Sequence, residues 1–211
     1  RNPGASFAPL SPAPAIQHQF LALTKHQIMT TTIIDYGMGN LRSVQKAFER
    51  IGESAIISSQ ADEIAAATRV VLPGVGAFRD AIAALREHDL VAVIMDHISA
   101  NRPFLGICLG LQMLMEVSLE DGEHDGLGII PGTVQRFDLP AEYKIPHMGW
   151  NQLNRSVQQD HGLFRELGDD PWFYFVHSYH VVPQDPSWIA ATTDYGGPFV
   201  SVVAKGNVMA T

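Results

Sequence analysis

The only cysteine of the chain, Cys108, stands between two glycines in the stretch Gly106-Ile-Cys-Leu-Gly110. An apolar run, Pro103-Phe-Leu105, precedes it, and a helix-like run follows from Leu109 to Val117. A nucleophile at such a strand-to-helix turn is held in a strained conformation, and small flanking residues let neighbouring backbone approach it. The pattern therefore favours a nucleophilic Cys108 over a packed core cysteine, which the residue type alone would suggest.

The position of the cysteine before a helix has two chemical consequences. The helix N-terminus should lower the pKa of the Cys108 thiol, and the backbone N–H of Leu109 should point to where an oxyanion develops. A second N–H donor should come from another loop that follows a strand. The candidate is the Leu-Pro-Gly-Val-Gly-Ala-Phe stretch, where Gly74 and Gly76 flank Val75 and let backbone approach a substrate oxygen. A plain strand-to-helix turn is the alternative for this stretch.

Composition excludes several classes of function. The chain has 211 residues, a hydrophobic fraction of 46% and a net charge of −8 without a Lys/Arg cluster, which argues against nucleic acid or an anionic membrane as a partner. One cysteine allows no internal disulfide and no Cys-x-x-Cys metal or redox pair, and fits a reducing compartment such as the cytoplasm. We expect no metal and no cofactor, since the glycine-rich stretches match neither a P-loop nor a dinucleotide fingerprint.

The chain divides at Met29. Residues 1–28 hold four prolines and no acidic residue, and the chain begins with Arg. We expect residues 1–28 to be a disordered extension, an upstream translation artefact or an expression remnant. Residues 29–211 are expected to form one domain.

The domain begins with alternating strand and helix patterns, which predict an α/β fold with a mostly parallel sheet flanked by helices. After Gly126 the pattern changes to strands joined by Gly/Pro turns, so the second half should be strand-rich and partly antiparallel. In the first half the pattern predicts strands at Thr31–Asp35, Ala55–Ser58, Arg69–Gly74 and around Phe104, and helices from Asn40, over Asp62–Thr68, over Ala77–Ala100 in two pieces, and over Leu109–Val117.

Five stretches, in order along the chain, resemble the class I glutamine amidotransferases: DYGMGNL, LPGVGAF, GICLGLQ, PHMGWN and FVHSYH. Within that class they resemble the glutaminase subunits of imidazole glycerol phosphate synthase, and the resemblance extends from Met29 to Thr211. It implies a flavodoxin-like fold and hydrolysis of glutamine to glutamate and ammonia by a Cys-His-Glu triad. The implied partner is a (β/α)8-barrel cyclase subunit. This subunit would use the ammonia to form imidazole glycerol phosphate and aminoimidazole carboxamide ribotide in histidine biosynthesis.

The resemblance also implies roles for individual residues. Cys108 would be the nucleophile, and backbone at Val75, Gly76 and Leu109 the oxyanion hole. The residues around the glutamine would be Gly74, Gln112, Glu120, His177, Ser178 and Tyr179. The residues facing the cyclase would be Asn40, Pro146, His147, Met148, Gly149, Trp150 and Asn151. From the residues alone, Gln112 and Glu120 could be solvated, and His177 and Trp150 could belong to the core.

In the family, the catalytic His and Glu lie in a His-Pro-Glu motif after the last strands. The sequence ends with Gly206-Asn-Val-Met-Ala-Thr211, before such a motif. We therefore expect the domain to be C-terminally truncated and the chain to lack its base, with His177 and His180 as the nearest substitutes. Two alternatives are a non-catalytic subunit that docks a synthase barrel, and a cysteine hydrolase of the dienelactone-hydrolase type. The latter needs an Asp and a His after the strand-to-helix turn at Cys108, which we call the elbow, and it leaves PHMGWN unexplained.

Overall fold

A computed structural model describes residues 29–155, 162–168 and 171–211. The extension predicted at 1–28 lies outside these residues. The described residues form five α-helices and fourteen strands, and they confirm the predicted α/β class. Among them no helix is long and apolar enough to cross a bilayer.

The first half of the domain builds a parallel sheet from runs of β-branched residues. Its strands are β1 (Thr31–Ile34), β2 (Ala55–Ser58), β3 (Arg69–Gly74) and β4 (Phe104–Cys108), in the spatial order β2-β1-β3-β4. The helices between and after them are α1 (Leu41–Arg50), α2 (Ala61–Ala66), α3 (Phe78–Glu87), α4 (Leu90–Ser99) and α5 (Leu109–Met113). Because the strands are parallel, their carboxyl ends meet at one edge of the sheet.

The second half extends this sheet, largely with antiparallel pairs. It contains β5 (Met115–Ser118), β6 (His124–Asp125), β7 (Ile130–Arg136), β8 (His147–Gln152), β9 (Asn154–Arg155), β10 (Trp172–His177), β11 (Tyr179–Pro183), β12 (Ile189–Asp194), β13 (Pro198–Lys205) and β14 (Val208–Ala210). Beyond β4 the order continues β14-β13-β11-β7-β5-β6, and β14 runs parallel to β4. Strands β8 and β10 form a separate antiparallel ribbon.

The helix predicted over Leu109–Val117 is wrong beyond its first turns. The helix ends at Met113, and from Met115 the chain is a strand in which Met115 pairs with Ile130 of β7. A continuous apolar run fits a buried strand as well as a buried helix, so periodicity alone could not separate them. Pairing with β7, which comes later in the chain, decides the outcome.

Both faces of the parallel sheet are buried. In β3, Val70 and Leu72 join the main core beneath α3, α4 and α5, while Val71 packs on the opposite side with residues of α1 such as Val44 and Phe48. This two-sided packing explains why β3 is an almost unbroken apolar run. It also fixes the carboxyl ends of β3 and β4, where the candidate site lies.

Candidate active site

Cys108 lies at the strand-to-helix turn that the sequence predicts. It ends β4, directly precedes α5, and has φ +58° and ψ −113°, a conformation that non-glycine residues rarely adopt. The helix behind it packs tightly on β3: a Cβ added to Gly110 would stand 2.0 Å from the carbonyl oxygen of Leu72. Glycine is therefore required at this position because of close backbone approach.

Strands on both sides bring backbone to Cys108. On one side Gly74 of β3 pairs with Cys108. On the other side the Cys108 N–H donates to the carbonyl of Thr211 at 2.5 Å, and the Thr211 N–H donates to the carbonyl of Gly106 at 3.1 Å. The carboxyl ends of β3, β4 and β14 therefore meet at the thiol.

The predicted oxyanion loop begins beside the elbow. Because Gly74 pairs with Cys108, the Val75–Gly76 turn that follows lies at the same edge of the sheet. Gly76 has φ +92°, in the region that favours glycine, and Val75 is 49% exposed. The backbone of Leu109 hydrogen-bonds the thiol and acts to lower its pKa. The structure thus places both expected sources of N–H donors near Cys108.

We expected the helix N-terminus to lower the pKa of the Cys108 thiol, and the structure corrects this expectation. Burial among protein atoms raises this pKa above its usual value, and the contribution of the Leu109 backbone is smaller. The residue itself is exposed and lines the pocket described below. Because α5 has only five residues, its dipole is small, and among the described residues no cation contributes to the shift of this pKa. The elbow alone does not activate this cysteine.

Tyr36 is a residue of the site that the sequence reasoning missed. Its buried hydroxyl donates to the carbonyl of Pro73 at 2.9 Å, and a Cβ on Gly74 would stand 2.9 Å from its oxygen. Burial, together with the nearby Cys108, raises the pKa of Tyr36 to about 12. Tyr36 is therefore neutral, and its hydroxyl donates a hydrogen bond to β3, the strand that precedes the predicted oxyanion loop. Tyr36 follows β1, which pairs with β3, and this placement could have identified Tyr36 as a site residue from the sequence.

A pocket of about 260 Å³ opens beside the thiol. It brings together three residues predicted around the glutamine, Gln112, His177 and Tyr179, with Cys108 and Thr211. Gln112 Nε2 donates to the carbonyl of Tyr179 at 3.4 Å, a long hydrogen bond that a ligand could replace. The solvated alternative for Gln112 is therefore not favoured.

Three other predicted substrate residues, Gly74, Glu120 and Ser178, do not line this pocket. The Glu120 carboxylate accepts the backbone N–H of Phe78 at 2.8 Å, at the first residue of α3. Since Phe78 follows Gly76 by two residues, this carboxylate lies beside the oxyanion loop. The carbonyl of Ser178 accepts the N–H of Phe137 at 3.0 Å. Contacts of these residues with glutamine stay predictions.

The histidines near the thiol are engaged elsewhere or lack a connection to it. His177 Nδ1 lies 2.9 Å from the carbonyl of Tyr179, and its Nε2 lies 3.1 Å from His147 Nδ1. His180 stacks on Phe137 with ring centroids 4.8 Å apart. Burial lowers the pKa of both His177 and His180. Within the described residues no hydrogen bond joins a histidine to the Cys108 sulfur.

The ribbon of β8 and β10 exposes an unusual apolar surface, which we call the ribbon face. Trp150 is 66% exposed and stacks edge-to-face on Tyr174 at 5.6 Å, so it is not a core residue. The side chains of the ribbon face belong to Met148, Trp150, Trp172, Tyr174 and Val176. Exposed aromatic clusters of this kind mark protein interfaces.

The other predicted interface residues differ in exposure. Asn40 is exposed at the start of α1, where its side chain makes no capping bond. Pro146 follows a cis peptide bond, and Gly149 lies between Met148 and Trp150 on the ribbon. Asn151 donates to the carbonyl of Asp194 at 2.8 Å. His147 is only 2% exposed, so its side chain offers no surface to a partner, which corrects the expectation for this residue.

The sequence and the fold match a known class of enzyme. The family model described as "Glutamine amidotransferase class-I" matches residues 32–211. A crystal structure of a glutamine amidotransferase is similar with a TM-score of 0.66 at 17% identity, covering 85% of this chain and 87% of that one. The PurLQS structure from Thermotoga maritima has a TM-score of 0.65 at 19% identity, covering 85% and 84%. These two likenesses concern the fold, which is that of the class I amidotransferases.

Sequence relatives narrow the family. The imidazole glycerol phosphate synthase subunit HisH of Rhodopirellula baltica is 57% identical over 180 residues, 85% of this chain and 86% of the relative. The subunit of the same name from Aquifex aeolicus is 51% identical over 183 residues, 86% of each chain. The chain belongs to the class I glutamine amidotransferases and, among them, to the HisH subunits of imidazole glycerol phosphate synthase.

Proposed function

We propose that Cys108 is the nucleophile of a glutaminase that serves imidazole glycerol phosphate synthase in histidine biosynthesis. The observation that carries this proposal is the strained Cys108 backbone at the meeting point of β3, β4 and β14. A strand-to-helix elbow with φ above zero is costly to maintain, and such strain is typical of catalytic nucleophiles.

The chemistry follows from the groups around the thiol. The proposed base takes the thiol proton, and the thiolate attacks the side-chain amide carbon of glutamine, forming a C–S bond and an oxyanion that backbone N–H groups of Leu109 and the Val75–Gly76 turn stabilise. Collapse of this intermediate breaks the C–N bond, and the amine leaves as ammonia after receiving a proton from the base. Water then hydrolyses the thioester to glutamate and restores the thiol. Glutamine and water are converted to glutamate and ammonia.

The glutamine itself would be held by polar groups on both sides of the thiol. The Gln112 amide, which makes only a long hydrogen bond to Tyr179, can pair with the α-carboxylate or an amide of the substrate. The Glu120 carboxylate, beside the oxyanion loop, suits the α-ammonium group. Backbone of Gly74 and of the His177–Tyr179 segment completes the proposed site.

The base and its orienting acid are proposed to come from residues that follow Thr211. Strand β14 runs parallel to β4, and Thr211 contacts Cys108 through backbone, so a continuation of β14 would reach the thiol. The His-Pro-Glu motif implied by the resemblance fits this location. His177 is a poor substitute because both of its ring nitrogens have partners.

The partner is a cyclase subunit of the synthase, and we propose that the ribbon face and Asn40 meet its barrel. Strand β10 contributes both to the ribbon face and to the pocket wall: Tyr174 and Val176 are exposed and also line the pocket. A cyclase bound on the ribbon face would therefore cover the site, and ammonia could pass to it without reaching bulk water.

The alternatives have less support. The relatives are subunits of a synthase, which does not favour a dienelactone-type hydrolase. A hydrolase of that type also needs a histidine within the chain on the thiol, and the described residues show no such hydrogen bond. A non-catalytic docking subunit would not need a strained cysteine or a glycine forced by a 2.0 Å backbone approach.

Labelling tests the proposed nucleophile. A folded chain that is extended through His-Pro-Glu and treated with the glutamine analogue diazo-oxo-norleucine at about pH 8 should carry one adduct, which mass spectrometry locates at Cys108, and excess glutamine should slow its formation. Cys108→Ser should remain unlabelled under the same conditions. Labelling that appears only after denaturation, or that glutamine does not slow, would contradict the proposal.

A further inference from the structure

A chain of hydrogen bonds crosses the interior from the ribbon to the pocket. Asn151 Nδ2 lies 3.4 Å from His147 Nε2, and His147 Nδ1 lies 3.1 Å from His177 Nε2. His177 Nδ1 lies 2.9 Å from the carbonyl oxygen of Tyr179, which also accepts from Gln112. Four consecutive contacts thus connect β8 with a residue proposed to hold glutamine.

The direction of every bond in this chain can be deduced. A carbonyl oxygen only accepts, so His177 Nδ1 carries a proton and, in a neutral ring, Nε2 accepts. His147 must then donate from Nδ1, which leaves its Nε2 to accept from the Asn151 amide. The Asn151 orientation agrees, because its Oδ1 accepts the N–H of Gln152 at 2.8 Å and its Nδ2 also donates to Asp194. Each ring has one defined tautomer.

Packing holds the two imidazoles in place and keeps them neutral. His147 is 2% exposed and stacks between Tyr195, at 4.0 Å, and Phe175, at 5.0 Å. Burial and the neighbouring His177 lower the pKa of His147 to about 4. Burial likewise lowers the pKa of His177. Neutral rings are what the deduced donor and acceptor pattern requires.

The hydrogen bond from His147 acts on a turn that supplies residues to the pocket. Ser178 separates β10, which pairs with β8 in the ribbon, from β11, which lies in the main sheet, so the chain passes there from the ribbon into the main sheet. The turn supplies two pocket residues, His177 and Tyr179. Without an N–H that donates to His177 Nε2, the ring loses its side-chain hydrogen bond to β8, and a half-buried acceptor is left unpaired.

We propose that His147 is a positioning residue of the glutaminase site: its Nδ1–H fixes the His177 ring, which fixes the Tyr179 carbonyl and thereby the Gln112 amide. This inference rests on the proposed function, since it assigns His147 to the glutamine pocket rather than to the partner surface. It also gives the ribbon, on which the cyclase is proposed to bind, a direct connection to the substrate residues.

Three substitutions separate hydrogen bonding from packing. His147→Phe keeps an aromatic ring between Tyr195 and Phe175 but removes the donor. His147→Asn places an amide N–H close to the position of Nδ1 and should restore the bond to His177. His88→Asn, at an exposed histidine at the end of α3, is the matched control.

Two readouts are needed, neither of which requires turnover. Nitrogen NMR of the histidine rings should show His177 with a protonated Nδ1 and a hydrogen-bonded Nε2, and His147→Phe should shift the Nε2 signal. Calorimetric titration should show that His147→Phe weakens glutamine binding roughly fivefold, as expected for one lost hydrogen bond. His147→Asn should return both readouts towards those of the parent, and His88→Asn should change neither.

The outcomes distinguish the inference from the proposed function. Unchanged glutamine affinity in His147→Phe would overturn the positioning role, as would an equal loss in His147→Phe and His147→Asn, which indicates packing alone. A parent chain that binds no glutamine, but whose His177 signal depends on His147, would contradict the proposed function and the positioning role with it, while leaving the hydrogen-bonded pair established.

Discussion

The backbone N–H of Cys108 donates to the carbonyl of Thr211, so the carboxyl end of β14 lies against the proposed nucleophile. The two residues are far apart in the chain and are brought together by parallel pairing of β14 with β4. The next positions along β14 would therefore stand at the thiol. The base proposed to follow Thr211 would have its place at this end of the sheet, beside the Cys108 backbone.

The first prediction concerns that base. Ammonia release from glutamine, with the cyclase and its ligand present, should be about 10⁴-fold slower for the 211-residue chain than for a chain extended through His-Pro-Glu. The reason is that the thiol pKa is raised and that, among the residues the structure describes, no histidine hydrogen-bonds the sulfur to take its proton. Comparable rates from both chains would refute this prediction, and His177 and His180 would then be the first residues to replace.

The second prediction concerns the ribbon face. Trp150→Ala should weaken binding to the cyclase on the order of tenfold or more, because a large exposed aromatic side chain is a typical interface anchor. The melting temperature of the isolated chain should change little. Ile51→Ala is a matched control, since Ile51 is 72% exposed but follows α1 at the opposite edge of the sheet from the site. Equal affinities for Trp150→Ala and parent would remove Trp150 from the interface.

The third prediction concerns the elbow. Gly110→Ala should destabilise the chain by about 3 kcal/mol, because the added Cβ would stand 2.0 Å from backbone that cannot move without disturbing β3. Gly162→Ala meets no atom within 4 Å and should cost much less. Urea unfolding of both variants measures the difference. Equal stabilities would show that α5 can shift away from β3, and that the close approach is not required.

The fourth prediction concerns pH. The pKa of His147 is lowered to about 4 in the folded chain, against an ordinary value of 6.5, so between these values the unfolded chain binds more protons. The free energy of unfolding should therefore fall as pH drops from about 6.5 towards 4, and this contribution should be fully present above pH 6.5. Urea titrations across this range test it, and His147→Phe should show a shallower decline. If the free energy of unfolding falls equally steeply with pH in both proteins, His147 is excluded as a source of this pH dependence.

Much of the site could be predicted from local sequence, because its chemistry depends on short stretches. Gly106, Cys108 and Gly110 define the elbow through their spacing. The Val75–Gly76 turn follows a run whose apolar character marks a buried strand. These expectations needed only the rule that loops after parallel strands share one edge of the sheet. The family resemblance added roles for Gln112 and Glu120 that spacing could not supply.

Other features were decided by contacts between distant segments. The strand at Met115 depends on pairing with Ile130, and the state of the thiol depends on how many protein atoms surround it rather than on its place before a helix. His147 belongs to a motif that predicts an interface. Alternation along β8 nevertheless turns its ring inwards, while Met148 and Trp150 face outwards. The sequence by itself determined the elbow around Cys108 and the order of the first elements. The tertiary structure alone decided which backbone meets Cys108 and which imidazole is buried, because burial and strand pairing arise only when remote parts of the chain pack together.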